Sequence, residues 1–193
     1  TYDSNIPVLT VRGTSSPIMR NDHVYAGFAN GRVLALNAST GAIVWEVRVA
    51  IAQGRSEIER LVDIDGTMEL AGSELYAASY QGNLVAIDVD TGTRMWQQKA
   101  SSYSGVSQGF GNVYVADEDG TLTAYLRNGE GPRWTQADLA HRDLSRPTPV
   151  GSYVAVADFE GYVHVLSQDA GNFVGRVRVD DEHAIHALVH VPL

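Results

Sequence analysis

The chain has no cysteine. That single absence excludes a disulfide framework, thiolate metal ligands and a cysteine nucleophile. No apolar stretch approaches the ~20 residues that a membrane-crossing helix needs. Cations are scarce, with 14 Lys and Arg against 23 Asp and Glu, for a formal charge of −9. A surface of that sign repels a phosphate backbone, so nucleic acid is not an expected partner. The chain opens on Thr1 without a signal-peptide pattern, and a mature or trimmed piece is expected. What is present is the composition of a folded domain: 193 residues, 44% hydrophobic and 19% charged, enough for a sizeable core.

Glycine is plentiful, and its spacing organises the chain. "ANGRVLALNASTGAIVWE" (29–46) returns as "YQGNLVAIDVDTGTRMWQ" (80–97). Aligned on Gly31, Gly82, Gly120 and Gly161, a further glycine follows ten positions later at Gly41, Gly92 and Gly171, with Gly129 and Gly131 near that place in the third copy. Fourteen positions after the anchors stand Trp45, Trp96, Trp134 and Gly175; six before them stand Tyr25, Tyr76, Tyr114 and Ala155. Self-similarity at about 40 residues marks a stacked or radial repeat.

Each copy reads as strands. "HVYAGFA", "ELYAASY", "NVYVADE" and "YVAVADF" are each followed by a glycine and a second short apolar run. The anchor glycine is expected to supply positive φ for a tight hairpin, and the second glycine turns the chain into a Trp-bearing strand. A preceding strand is placed at Val8–Gly13, Asp65–Leu70, Ser104–Phe110 and Pro147–Val150. Four strands per repeat with no helical period predict an all-β fold, a β-propeller of four-stranded blades. The blades are expected near 7–50, 64–100, 104–139 and 146–180, with 184–193 as the first strand of a further blade. The tryptophans are expected to fill the gap between neighbouring blades. Propellers usually carry more than four blades, so part of a larger wheel is expected, whose bare blade faces would drive self-association of this chain.

Three motifs suggest chemistry and lose it in context. "GVSQG" (105–109) fits a nucleophile elbow, but strand follows where a helix is required, so Ser107 reads as a strand residue. "DEDG" (117–120) occupies the place of the other hairpin tips and lacks the oxygens of a calcium loop. His183, His186 and His190 would share a helix face, but on a strand only His186 and His190 do. No catalytic residue, cofactor or metal is expected. The insertion 52–67 is more informative. Ser56 and Glu59 have capping-box spacing, and the stretch leads into Asp63 and Asp65. The matching lead-in to the first blade carries Leu9, Val11 and Arg12. Equivalent connections in adjacent blades fall on one face, and apolar, basic and acidic groups together suit protein docking.

The A-x-D-x-x-T-G-x-x-x-W phrase resembles the repeats named after quinoprotein dehydrogenases. "GRSEIERLVDID", "YQGNLVAIDVDTGTRMW", "WTQADLAHRDLSRPTPV" and "DFEGYVHVLSQDAG" resemble the BamB family more specifically, from about Pro7 onward. That resemblance implies an eight-bladed propeller on the periplasmic face of the outer membrane, held by an N-terminal lipidated cysteine that this chain lacks. It implies a non-catalytic scaffold of the β-barrel assembly (BAM) complex, bound to the POTRA domains of BamA and to other subunits. It also implies partner-binding roles for Leu9, Val11, Arg12, Asp63 and Asp65. The family usually has leucine where this chain has Val11, an apolar contact one carbon shorter. The competing readings are a generic protein-binding propeller and a fragment of a quinone-dependent dehydrogenase.

Overall fold

The computed structural model describes residues 15–51, 56 and 62–179. Among them every regular element is a strand, and the strands form four antiparallel sheets of four, each in sequence order. Blade one holds β1 (Ile18–Arg20), β2 (His23–Phe28), β3 (Arg32–Asn37) and β4 (Ile43–Arg48). Blade two holds β5 (Glu69–Ala71), β6 (Glu74–Ala78), β7 (Gly82–Asp88) and β8 (Arg94–Ala100). Blade three holds β9 (Val106–Gly109), β10 (Asn112–Ala116), β11 (Leu122–Leu126) and β12 (Pro132–Gln136). Blade four holds β13 (Thr148–Val150), β14 (Tyr153–Ala157), β15 (Tyr162–Ser167) and β16 (Phe173–Arg178). The chain divides into two compact units, 1–103 and 104–193, with two blades in each.

The first strand of every blade ends eleven positions before its anchor glycine: Arg20 and Gly31, Ala71 and Gly82, Gly109 and Gly120, Val150 and Gly161. A two-residue turn then leads to the second strand. Its first residue has positive φ each time: Asn21 (53°), Gly72 (65°), Phe110 (53°) and Gly151 (57°). The strand paired with β2 is therefore Ile18–Arg20, whereas the sequence reading places it at Val8–Gly13, which lies outside the described residues. The missed signal is Asn21-Asp22, a dipeptide that turns a hairpin as glycine does. Residues 184–193 also lie outside the described residues. The next hairpin corrects a second expectation. Gly31, Gly120 and Gly161 have positive φ, but in blade two that conformation belongs to Gln81 (48°). Gly82 is needed for space instead, since a Cβ there would stand 2.1 Å from Ser79 Oγ and 2.7 Å from Ala50 Cβ.

Cross-strand register explains the aromatic spacing. Tyr25, Ala35 and Trp45 lie side by side across β2, β3 and β4, and so do Tyr76, Ala86, Trp96 and Tyr114, Ala124, Trp134 in their blades. The small central alanine lets each Tyr reach its Trp, with centroids 5.7, 5.9 and 5.9 Å apart. Blade four inverts the row as Ala155, Val165 and Gly175, so the bulk moves to the middle strand. A register shift follows the middle residue in all four sheets.

Within each unit, tryptophan joins one blade to the next. Trp45 Nε1 donates to Val89 O at 2.8 Å, and Trp134 Nε1 donates to Gln168 O at 3.0 Å. Gly92 (φ 71°) and Gly171 (φ 71°) close their turns and also leave a flat seat, where a Cβ would come within 2.7 Å of Trp45 or 2.5 Å of Trp134. One core gathers Tyr25, Val33, Trp45, Leu75, Val85 and Ile87 of blades one and two. A second gathers Tyr114, Leu122, Leu139, Val154, Val156 and Leu166 of blades three and four.

The turn before each Trp strand is fixed by polar side chains. Asp88 Oδ1 accepts from Thr91 Oγ1 (2.7 Å) and Thr91 N (2.9 Å), and Asn37 Oδ1 does the same with Thr40. The hydroxyl of Thr91, and then its N–H, hold the Asp88 carboxyl below the usual carboxylate range.

Candidate protein-docking surface

The connection from blade one to blade two returns to the described residues at Val62, and Val62, Asp63 and Ile64 are all buried. Their backbone is tied on both sides. Ile64 N donates to Phe28 O (3.3 Å), Ser15 N donates to Ile64 O (3.2 Å), and Tyr80 N donates to Asp63 O (2.8 Å). Ser15 Oγ accepts from Gly27 N at 3.0 Å. Gly27 leaves the room for this crossing, because a Cβ would stand 2.6 Å from Ile64 Cγ2 and 2.8 Å from Ser15 Oγ. The segment carrying Asp63 and Asp65 thus wedges between the second-strand hairpins of blades one and two.

The sequence reading treats both acids as surface groups. Asp63 has no exposed area and Asp65 is half-buried. Leu9, Val11 and Arg12 lie outside the described residues, as does most of the insertion with its capping-box spacing. Ser15, three positions after Arg12, is the described residue that brings the first lead-in against the second.

A second polar site was not legible in the sequence. In blade four the buried Asp158 accepts from Arg142 Nη1 (2.8 Å), the N–H of Glu160 (3.0 Å) and the N–H of Tyr162 (2.9 Å). Its Oδ2 also lies 2.8 Å from Nε2 of His164, which is 2% exposed. Burial pushes the Asp158 carboxyl up, and the bonds from His164, Tyr162 and Arg142 together outweigh it and hold the pKa below the ordinary value. Arg142, shared with Glu160 at 2.7 Å, is held above the ordinary arginine value by the same two carboxylates. The blades with Leu34, Val85 and Thr123 at the position of His164 have no such pairing. A His–Asp pair serves hydrolysis only beside a nucleophile. Among the described residues no hydroxyl bonds to His164, and the node braces the hairpin. Ser107 is buried in β9 opposite Tyr114, away from any helix. "DEDG" forms the β10–β11 tip, where Asp119 Oδ1 accepts from Thr121 N at 2.9 Å.

A family model described as "Outer membrane protein assembly factor BamB" matches residues 1–136. The chain belongs to the BamB family. The outer membrane protein assembly factor BamB of Pseudomonas aeruginosa is 49% identical over 180 residues, which cover 93% of this chain and 47% of the relative. BamB of Yersinia pestis is 34% identical, over 98% of this chain and 48% of the relative. The crystal structure of BamB from Moraxella catarrhalis superposes with a TM-score of 0.92 at 36% identity, over 98% of this chain and 57% of that one. The four sheets are accordingly blades of a BamB-type β-propeller with quinoprotein-like repeats. The chain spans about half the length of the curated BamB relatives it matches. A europium-containing methanol dehydrogenase shares the fold at a TM-score of 0.60 and 13% identity, a likeness of architecture alone.

Proposed function

We propose that this BamB-family chain is a non-catalytic scaffold in outer-membrane protein assembly. It is half of an eight-bladed propeller, lipid-anchored in its longer form at the periplasmic face of the outer membrane of a Gram-negative bacterium. It binds the POTRA region of BamA alongside other subunits of the complex and assists the folding and insertion of β-barrel proteins. The observation that carries this reading is the bond from Ser15 N to Ile64 O, which joins the two lead-in segments at one place. In the sequence one segment carries Leu9, Val11 and Arg12 and the other Asp63 and Asp65, the apolar and charged residue types that suit protein docking. Its burial gives Asp63 the positioning role, and the more accessible Asp65 faces the partner.

Arg12→Glu is expected to weaken binding of purified BamA POTRA domains by about 30-fold, equivalent to roughly 2 kcal/mol, with an unchanged melting curve. Calorimetric titration reads it. Undiminished affinity would remove Arg12 and this surface from the interface.

The outer strand of blade four supports self-association of the chain as given. Phe173, Val174 and Val177 on that edge strand are 43–56% exposed, and Val179 just past its end is 57% exposed. Light scattering is expected to give about twice the 20.9 kDa chain mass at micromolar concentration. A monomer with a cooperative melt would show that the described blades suffice alone.

A further inference from the structure

The sulfur of this chain is held in thioethers alone, since it has three methionines and no cysteine. Methionine is ordinarily a core residue. Met68 is one: it is 1% exposed and belongs to the core of blades one and two, with Tyr25, Trp45, Ile64 and Leu75. Met19 and Met95 are 68% and 51% exposed.

Both exposures are set by the backbone. On β1, Ile18 packs on that same core, and the alternation of a strand turns Met19 the other way. Met95 stands at a bulge in β8. Trp96 pairs with Ala86 and Arg94 pairs with Ile87, which makes Met95 the extra residue of its ladder. The same register shift makes Val44, Arg133 and Val174 the extra residues of β4, β12 and β16, and each of these is exposed as well. Blade architecture therefore presents the side chain at this position to solvent, and in blade two that side chain is a thioether.

We propose that Met19 and Met95 are reversible oxidation sites that take an oxygen atom from hydrogen peroxide, and that Met68 is spared. The sulfur lone pair attacks one peroxide oxygen. An S–O bond forms and the O–O bond breaks. The departing hydroxide takes the proton of the new S–OH group and becomes water. Sulfur is oxidised by two electrons and the peroxide is reduced by two. No thiol in the chain competes for the oxidant.

The product is polar, and its cost depends on where it forms. At Met19 and Met95 water solvates the new oxygen, so the fold is indifferent to it. At Met68 the same oxygen would lie among apolar side chains, and stability would fall. The two exposed sulfoxides also stay within reach of methionine sulfoxide reductases, which return them to thioethers. Neither site draws on POTRA binding through Arg12.

The test is treatment of the folded chain with hydrogen peroxide, followed by intact mass measurement and peptide mapping. Two oxygen atoms are expected, one at Met19 and one at Met95, each entering at least about tenfold faster than at Met68. The doubly oxidised chain should melt as the untreated chain does. Reductases acting on both sulfoxide epimers should restore its mass. A Met19→Leu, Met95→Leu protein should keep its mass under peroxide when folded and gain one oxygen, at Met68, in urea. Comparable rates at all three methionines of the folded chain would overturn the proposal. So would resistance of either exposed methionine, a lowered melting temperature of the doubly oxidised chain, or sulfoxides that the reductases leave in place.

Discussion

Trp45→Ala is expected to lower stability by about 3–5 kcal/mol and the melting temperature by roughly 10 °C. Trp45 is 8% exposed, stacks on Tyr25, and seats its ring on Gly92 of the next blade. Its removal opens a cavity between blades one and two and leaves the carbonyl of Val89 without its indole donor. Large apolar loss and an orphaned buried acceptor act in the same direction. Trp45→Phe separates them. It retains most of the ring contact and loses the hydrogen bond, for an expected cost of about 1–2 kcal/mol. Trp134→Ala should repeat the larger effect in the second unit, where Gln168 and Gly171 play the parts of Val89 and Gly92. Urea unfolding checks all three. A Trp45→Ala protein with native stability and impaired partner binding would turn the residue from a packing element into a contact.

The second large effect belongs to Asp158. Asp158→Ala is expected to destabilise by about 3 kcal/mol, because it leaves the buried His164 and the Arg142 guanidinium without their shared acceptor. Glu160→Ala removes the other partner of Arg142, but its side chain is 45% exposed, and a change within about 1 kcal/mol is expected. The two variants separate a buried node from a surface ion pair. The pH dependence has a definite sign. The folded-state pKa of Asp158 lies below its unfolded value, so its stabilising contribution is complete above the unfolded value near 3.9. It fades as pH falls through the folded value. The stability gap between the parent and Asp158→Ala should therefore be constant above about pH 5 and shrink in more acidic solution. A gap that widens on acidification would contradict the assignment.

The repeat was legible because its determinants are short in range. Glycines at fixed offsets, short apolar strands and a Trp fourteen positions after three of the four anchors give the repeat from sequence alone. Local chemistry also misled where two residues do the same job. Asn21 makes a turn that glycine makes elsewhere, and Gln81 takes the positive φ expected of Gly82. Both substitutions are allowed because a hairpin tip is exposed and its strain is offset by strand pairing on each side.

The two acids of the proposed docking surface divide differently. Sequence placed Asp63 and Asp65 together on one connection. It could not assign their depth, since burial of Asp63 depends on Ser15, Phe28 and Tyr80 arriving from three other stretches of chain. Asp158 and His164 are six positions apart, and nothing in that interval signals a bond. It forms because β15 returns antiparallel to β14 and brings the imidazole back over the carboxylate at the tip.

The sequence by itself determined the four-strand repeat, the hairpins at the anchor glycines and the strands that carry the three tryptophans. Periodicity and backbone sterics suffice for those, because each is settled within one hairpin. Tertiary structure alone decided which carbonyls the indoles of Trp45 and Trp134 reach, and that Asp63 is buried. These are meetings between residues well separated along the chain. The packing of blade on blade sets their distances, and no local pattern carries that information.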